Sequence, residues 1–173
     1  MNKGFTLIEL LIVSVIMVML AGFLVSNFSR QRNELAAAAT GMVSDIREAQ
    51  GLAISGAGFG GLLRCGYGIA FLDEGSYVLY AGPDASVTDC VVDDHVFTLG
   101  EDDVIREIAL SGGLELVGTG DIFFEPPLPY TYLDGARGGP DLSVSVKASG
   151  ARCPSTACRT VNITGSGRIY TTQ

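Results

Sequence analysis

Residues 5–25 read FTLIELLIVSVIMVMLAGFLV, and this stretch decides how the rest of the chain is interpreted. It carries a single charged side chain, Glu9, among residues that are almost all apolar. Folded as a helix, the stretch is long enough to cross a hydrocarbon core of roughly 30 Å. The sequence therefore predicts one transmembrane helix at residues 5–25.

The flanks of this stretch do not match an ordinary secretory signal. Such a signal places a small-residue cleavage site after an apolar run of about 7 to 15 residues. Here the apolar run is longer, and Gly4, a small residue beside the basic Lys3, precedes it. Cleavage before the stretch, after Gly4, fits this arrangement better.

Glu9 is the most informative residue of the apolar stretch. A carboxylate inside an apolar helix costs about 3 kcal/mol on insertion scales and is usually paired. Residues 5–25 contain no Lys or Arg. Cleavage after Gly4 would create a positive α-amino group on Phe5, one helical turn from Glu9. The alternative is a tolerated Glu that reaches towards the membrane interface.

Residues 4–9, Gly-Phe-Thr-Leu-Ile-Glu, and the apolar run after them resemble the class III signal of type IV pilins and pseudopilins. The resemblance implies that a prepilin peptidase cleaves the Gly4–Phe5 bond and methylates the amine of Phe5. It also implies that Glu9 guides docking onto other pilin or pseudopilin subunits. The protein is then expected in the inner membrane, with its C-terminal part in the periplasm or outside the cell, until it is assembled into a filament.

An apolar stripe at helical spacing continues beyond the predicted span. The stripe consists of Leu35, Ala39, Met42, Ile46, Ala49 and Ala53. Its spacing predicts a helix that packs one face on a globular domain. Glycines between residues 51 and 61 predict an end near Ser55, because glycine weakens helices. The expected organisation is a leader at 1–4, a transmembrane segment at 5–25, an extramembrane helix at 26–55 and a β-rich head at 56–173.

The head, residues 56–173, is predicted to consist of antiparallel strands. Short runs rich in β-formers occur at 67–72, 77–80, 91–99, 104–110, 114–117, 122–125, 142–147, 159–164 and 168–171. Several of them alternate apolar and polar side chains, as half-buried antiparallel strands do. Residues 125–140 contain four prolines and are predicted as a surface loop, with Tyr130 and Tyr132 as a candidate contact surface. The predicted fold class is α+β, a long N-terminal helix followed by an all-β head.

This layout resembles minor pilins and pseudopilins of the GspH/FimT type. The closing segment, residues 158–169, is similar to the C-terminal strand pair of that family and its Gly-Arg turn. The resemblance implies a pilin-like fold and a minor subunit of a type IV pilus, a type II secretion system or a competence filament.

All four cysteines, Cys65, Cys90, Cys153 and Cys158, lie in the head. An even count outside the cytoplasm predicts two disulfides, with three connectivities open. Pairing of Cys65 with Cys90 and of Cys153 with Cys158 is favoured, because both bonds close local loops. A zinc site formed by the four thiols is the alternative, although the spacing lacks paired C-x2-C motifs.

The charge of the chain argues against nucleic acid as a partner. The 19 acidic and 11 basic side chains give a formal net charge of -8, which repels phosphate. The support for DNA binding is a locally basic stretch formed by Lys147, Arg152, Arg159 and Arg168.

Cofactors are not expected, and calcium is the alternative. Hard cations take carboxylate and carbonyl oxygens, but charged runs are usually solvated surfaces. The acidic cluster in question consists of Asp89, Asp93, Asp94, Glu101, Asp102 and Asp103.

Enzymatic function is not predicted. The only histidine, His95, lies in an apolar strand-like pattern without a nucleophile motif, and is interpreted as structural. The main hypothesis is a structural subunit whose helix drives assembly while the head caps, spaces or contacts other subunits. The alternative is a receptor at a filament tip, whose head binds DNA, a secreted substrate or a surface.

Overall fold

A computed structural model describes residues 7–128 and 130–172, without the side chains of residues 24–29. The predicted leader at 1–4 lies outside this part, as does the start of the predicted span at 5–25. The chain divides between Glu34 and Leu35 into two compact units. One helix, α1 (Leu7–Ser55), contributes residues to both of them.

In the N-terminal unit, the described side chains of α1 from residue 7 to residue 23 are exposed on every face of the helix. Most are aliphatic, so this part of the helix has no polar side to turn to water. The unit ends with an exposed ion pair in which the Arg30 Nε lies 2.9 Å from the Glu34 Oε1.

In the C-terminal unit, the second part of α1 buries the stripe that starts at Leu35 and ends at Ala53. Met42 and Ile46 are fully buried in it, whereas residues on the other faces, such as Arg47, are exposed. After Ser55, Gly56 takes a positive φ of 58° and the Ala57 N–H donates to the Leu52 carbonyl. These contacts are typical of a glycine-terminated helix.

Ten strands follow within the described residues, and all of their pairings are antiparallel. They are β1 (Tyr67–Phe71), β2 (Ser76–Ala81), β3 (Asp103–Ala109), β4 (Leu114–Val117), β5 (Gly120–Glu125), β6 (Tyr130–Leu133), β7 (Ala136–Arg137), β8 (Leu142–Ala148), β9 (Cys158–Ile163) and β10 (Ile169–Thr172). One sheet has the order β3-β2-β1-β5-β6-β7, and the other β10-β9-β8-β4. This architecture confirms the predicted α+β class, an N-terminal helix followed by antiparallel β-sheets.

The main core lies between the stripe of α1 and the two sheets. Alternate residues of β1 and β2, such as Ile69 and Leu79, pack here with Val144 and Val161 of the four-stranded sheet. Polar contacts at the rim hold α1 to the sheet edge. The Tyr77 hydroxyl donates to the Asp45 Oδ2 at 2.7 Å, and Arg106 of β3 pairs with Asp45 at 2.8 Å.

The opposite face of the six-stranded sheet is covered by the connection between β2 and β3, residues 82–102, called here the β2–β3 loop. Phe97 and Cys90 of this loop pack on Tyr80 and Phe123 in a second, smaller core. Both faces of β1 and β2 are therefore buried.

Close approach of aromatic rings requires glycine on this second face. A Cβ at Gly66 would lie 2.4 Å from the Phe123 ring, and one at Gly68 would lie 2.5 Å from the Tyr80 ring. Gly82, at the start of the loop, would meet the Phe123 ring at 2.9 Å. The rings thus occupy the space that side chains would fill.

Two local predictions are wrong. The run 91–99 is not a strand, and its backbone donors bond to carboxylates instead. The Val96 N–H donates to Asp94 and the Thr98 N–H to Asp102, while His95 has a positive φ of 57°.

The predicted loop 125–140 contains strands β6 and β7. Pro126 and Pro127 lie in the connection that precedes β6, where they remove no ladder hydrogen bond. Tyr132 is therefore a strand residue, paired in register with Phe123 of β5.

Candidate functional site

The predicted processing site, Gly4 and Phe5, lies outside the described residues. Glu9 lies in the first turn of α1, and its side chain is exposed. Leu7, Ile8 and Leu10 around it are exposed as well. The carboxylate of Glu9 is thus carried on an apolar helix surface, where it is accessible to a neighbouring chain.

Among the residues searched, which are those the structure describes, no helix is both long and apolar enough to cross a membrane.

Comparison with known protein families places a signal at the N-terminus. Residues 1–25 match the family model of the prokaryotic N-terminal methylation motif. This match includes Gly4, Phe5 and Glu9 and covers the start of α1. No curated protein and no solved structure matches the chain.

The methylation motif identifies the N-terminal segment as a prepilin-type signal. A signal of this type implies processing by prepilin peptidase, anchoring in the inner membrane and assembly with other pilin subunits. It also favours a structural subunit over an enzyme.

The four cysteines form two disulfides, Cys65 with Cys90 and Cys153 with Cys158. The first joins the segment before β1 to the β2–β3 loop, and the second closes the connection between β8 and β9. All four sulfur atoms are used in these bonds, so the alternative of a zinc site formed by the thiols is wrong.

The acidic cluster lies mainly in the β2–β3 loop and continues into β3 with Asp103. Several of its carboxylates accept backbone N–H groups within the loop, as Asp89 does from Val91 at 3.1 Å. Asp103 forms an ion pair with Arg64. Within the described part of the chain, no group of three or more His, Cys, Asp or Glu side chains is placed to hold a metal ion.

A buried carboxylate, Asp121, fastens the β2–β3 loop to the sheet, and sequence reasoning missed it. Its Oδ1 accepts from the Tyr80 hydroxyl at 2.7 Å and its Oδ2 from the Phe97 N–H at 3.1 Å. Burial raises the pKa of Asp121 to about 7, although both hydrogen bonds oppose this shift. In the sequence, this carboxylate is visible as one acidic residue at the start of the apolar run of β5.

His95 is buried and stacks on Tyr132, with ring centroids 3.8 Å apart and planes 3° from parallel. It also packs edge-on with Phe123, with ring centroids 5.2 Å apart. In the described part of the chain its Nε2 has no hydrogen-bond partner. The packing of His95 is that of a structural residue.

The two tyrosines of the candidate contact surface differ. Tyr132 is half-buried and donates its hydroxyl to Glu125 at 2.7 Å, so it serves packing. Tyr130 is exposed, and the Arg137 guanidinium lies 3.5 Å above the centre of its ring.

A cleft of about 390 Å³ lies beside the β1–β2 turn and is lined in part by Asp73, Leu116 and Lys147. Two of its charged groups, Asp73 and Lys147, already have partners. Asp73 accepts from the Gly75 and Ser76 N–H groups, and Lys147 pairs with Glu115 at 2.8 Å. These side chains stabilise the turn and the four-stranded sheet.

Proposed function

We propose that this chain is a filament subunit, a minor pilin or pseudopilin of the GspH/FimT type. The observation that carries the proposal is the methylation motif at residues 1–25. The helix that begins within this motif and the antiparallel head that follows support the same function. The filament belongs to a type IV pilus, a type II secretion system or a competence apparatus.

Processing supplies the positive charge that the apolar segment lacks. Prepilin peptidase cleaves the Gly4–Phe5 bond, and the new α-amino group of Phe5 is methylated. A methylated amine keeps its positive charge, so it remains a partner for a carboxylate. Glu9 lies one helical turn along, close enough for an ion pair within a subunit or with the next one.

Assembly follows from the exposed apolar surface of residues 7–23. In the inner membrane, lipid covers this surface; in the filament, the helices of neighbouring subunits cover it. The contact joins different surfaces of successive subunits, so it propagates as a helical filament and does not close into a dimer. The head remains outside the membrane, where the two disulfides are stable.

Intact-mass spectrometry of the protein purified from its own membranes, under non-reducing conditions, tests the processing step. We expect loss of residues 1–4, gain of one methyl group and loss of two hydrogens for each disulfide. A Gly4→Val variant is expected to keep its leader. A full-length wild-type chain without the methyl group would refute the proposal.

The docking role of Glu9 is tested in the same preparation. Glu9→Gln is expected to be cleaved normally but to be lost from sheared filaments. Glu34→Gln, on the same helix and outside the motif, serves as the matched control and is expected to assemble. If both variants assemble equally well, Glu9 has no role in subunit docking.

A further inference from the structure

The two disulfides of the head differ in their access to solvent. Cys65 is 2% exposed, and with Cys90 it belongs to the second, smaller core beneath the β2–β3 loop. Cys153 is exposed, and so are residues 154–156 after it. A thiol in solution can therefore reach the Cys153 end of its bond, whereas packing shields the Cys65–Cys90 bond.

The other end of the exposed bond lies inside the fold. Cys158 is the first residue of β9 and is 2% exposed. It pairs in register with Lys147 of β8, whose charge is balanced by Glu115 at 2.8 Å. In thiol–disulfide exchange one sulfur is attacked and the other leaves as a thiolate. Exposure assigns the attack to the Cys153 Sγ and the departure to the Cys158 Sγ.

Positive charge flanks this bond. Arg152 precedes Cys153 and Arg159 follows Cys158, and residues 142–172 contain no acidic side chain. The Arg159 guanidinium is held at the leaving cysteine, because its Nη1 donates to the Cys158 carbonyl at 2.9 Å. A cation beside a cysteine stabilises the thiolate, and a stabilised thiolate leaves faster.

Negative charge surrounds the other bond. Cys90 lies in the β2–β3 loop, where residues 82–102 contain six carboxylates and no Lys or Arg. Arg64 precedes Cys65, but it forms an ion pair with Asp103. Carboxylates oppose the formation of a thiolate and repel a thiolate that approaches. Burial and charge therefore both protect the Cys65–Cys90 bond from exchange.

We propose that the Cys153–Cys158 bond is a site of thiol–disulfide exchange with a dithiol protein, while the Cys65–Cys90 bond is structural. The inference goes beyond the filament function and does not depend on it. Both bonds persist outside the cytoplasm until such a dithiol reaches them. The exposed bond with the stabilised leaving thiolate is then the one that reacts.

The exchange proceeds in two steps. A thiolate of the dithiol attacks the Cys153 Sγ, the bond to the Cys158 Sγ breaks, and Cys158 leaves as a thiolate beside Arg159. The second thiolate of the dithiol then attacks the first sulfur of the same dithiol in this mixed disulfide and releases Cys153 as a thiolate. The two protons of the dithiol end on Cys153 and Cys158. The chain gains two electrons, and the dithiol is oxidised to a disulfide.

Reduction changes the β8–β9 connection without separating the two strands. β8 and β9 pair in register from Leu142 to Lys147. The Ser145 and Thr160 hydroxyl oxygens lie 2.7 Å apart across this pair. These contacts do not involve the cysteine sulfurs. The exchange therefore loosens the connection at residues 149–157 and leaves the four-stranded sheet folded.

Reduction of the full chain in detergent by dithiothreitol, a small dithiol, tests the difference between the two bonds. Free thiols are alkylated at intervals, and their positions are found from peptide masses. We expect Cys153 and Cys158 to become alkylated about tenfold faster than Cys65 and Cys90. Equal rates, or faster loss of the Cys65–Cys90 bond, would overturn the proposal.

A dithiol protein of the thioredoxin class that lacks its second thiol tests which sulfur is attacked, because its mixed disulfide with the chain persists. We expect this protein to be linked to Cys153. A link to Cys158, Cys65 or Cys90 would contradict the proposed route. The absence of any link, under conditions where dithiothreitol reduces the Cys153–Cys158 bond, would exclude exchange with a dithiol protein.

The effect of charge is tested with Arg152→Gln combined with Arg159→Gln. We expect reduction by dithiothreitol to be about tenfold slower than in the wild type, because fewer cations stabilise the leaving thiolate. Arg152→Lys with Arg159→Lys keeps the charge and is expected to keep the rate. Arg137→Gln, at an exposed cation of β7, is the matched control and is expected to react as the wild type does. A wild-type rate in the glutamine variant, or an equal loss of rate in the lysine variant, would overturn the proposal.

Discussion

The two faces of the six-stranded sheet are covered in different ways. On one face, regular α1 packs aliphatic side chains such as Ile46 and Met42 against Ile69 and Leu79. On the other, the irregular β2–β3 loop packs aromatic rings around the buried Asp121, and a disulfide fixes its position.

The difference shows two ways of excluding water from a strand. A helix satisfies its own backbone and offers a continuous apolar stripe, so apolar burial holds most of it in place. Polar contacts of α1 with the sheet, such as that of Asp45 with Tyr77, are confined to the rim. A loop leaves backbone N–H groups that need partners, so it requires carboxylates such as Asp121 and Asp94. We expect substitutions on the helix-covered face to act through packing, and changes on the loop-covered face to act through the disulfide and pH.

The largest effect is expected for Ile46→Ala, which opens a cavity on the helix-covered face. Ile46 is fully buried, and such a truncation lowers the unfolding free energy by about 4 kcal/mol. The matched control is Ile54→Ala on the same helix, where Ile54 is 55% exposed and a change within about 0.5 kcal/mol is expected. Denaturant unfolding of the full chain in detergent measures the unfolding free energy of both variants. Similar losses of unfolding free energy would contradict the assignment of Ile46 to the buried face of α1 and of Ile54 to the exposed face.

Removal of the Cys65–Cys90 bond by a double alanine variant is expected to cost about 3 kcal/mol, because it releases a loop of sequence separation 25. The Cys153–Cys158 bond has a separation of 5, so the corresponding variant is expected to lose about 2 kcal/mol. Hydrogen exchange at the Phe97 amide should accelerate in the first variant only. Unchanged exchange there would mean that Asp121 holds the loop without the disulfide.

A pH dependence is expected from Asp121 on the loop-covered face. Its pKa in the folded chain, about 7, exceeds the ordinary value of 3.8, so the folded state binds the proton more tightly. The unfolding free energy therefore falls as pH rises, by about 2 kcal/mol between about pH 5.5 and about pH 7.5. Asp102 faces Asp121, and burial raises its pKa to about 6, so it acts in the same direction.

Asp121→Asn isolates this contribution, because an amide of the same shape does not titrate in this range. Thermal unfolding of the full chain at the two pH values is the measurement. We expect the variant to lose most of the slope, leaving the part due to Asp102. A slope as steep as that of the wild type would assign the pH dependence to other groups.

Sequence patterns predict the main core between α1 and the two sheets well, because its signals are local. The stripe from Leu35 to Ala53 repeats at the period of a helix, and β4 and β8 show apolar residues that alternate with polar ones. These periods reflect the geometry of single elements, so they are readable without knowledge of the partner surface.

The loop-covered face depends on contacts that are distant in sequence, so local patterns were misleading. The run 91–99 is rich in valine and favours a strand, but Asp94 and Asp102 take backbone donors that a ladder would need. Likewise, Asp121 meets Phe97 across 24 positions. The prolines near β6 dominate the local pattern, which therefore predicts a loop for Tyr130 and Tyr132 although both lie in a strand.

The glycines beneath Phe123 and Tyr80 limit which substitutions the chain can accept during evolution. At Gly66 and Gly68 even a methyl group would collide with a ring or with the neighbouring strand, so mutation has no neutral route at these positions. The exposed valines of the loop above them are not restricted by packing within the chain. Among related heads, the two glycines are therefore fixed, whereas the exposed side chains of the loop are free to change and to fit a new partner.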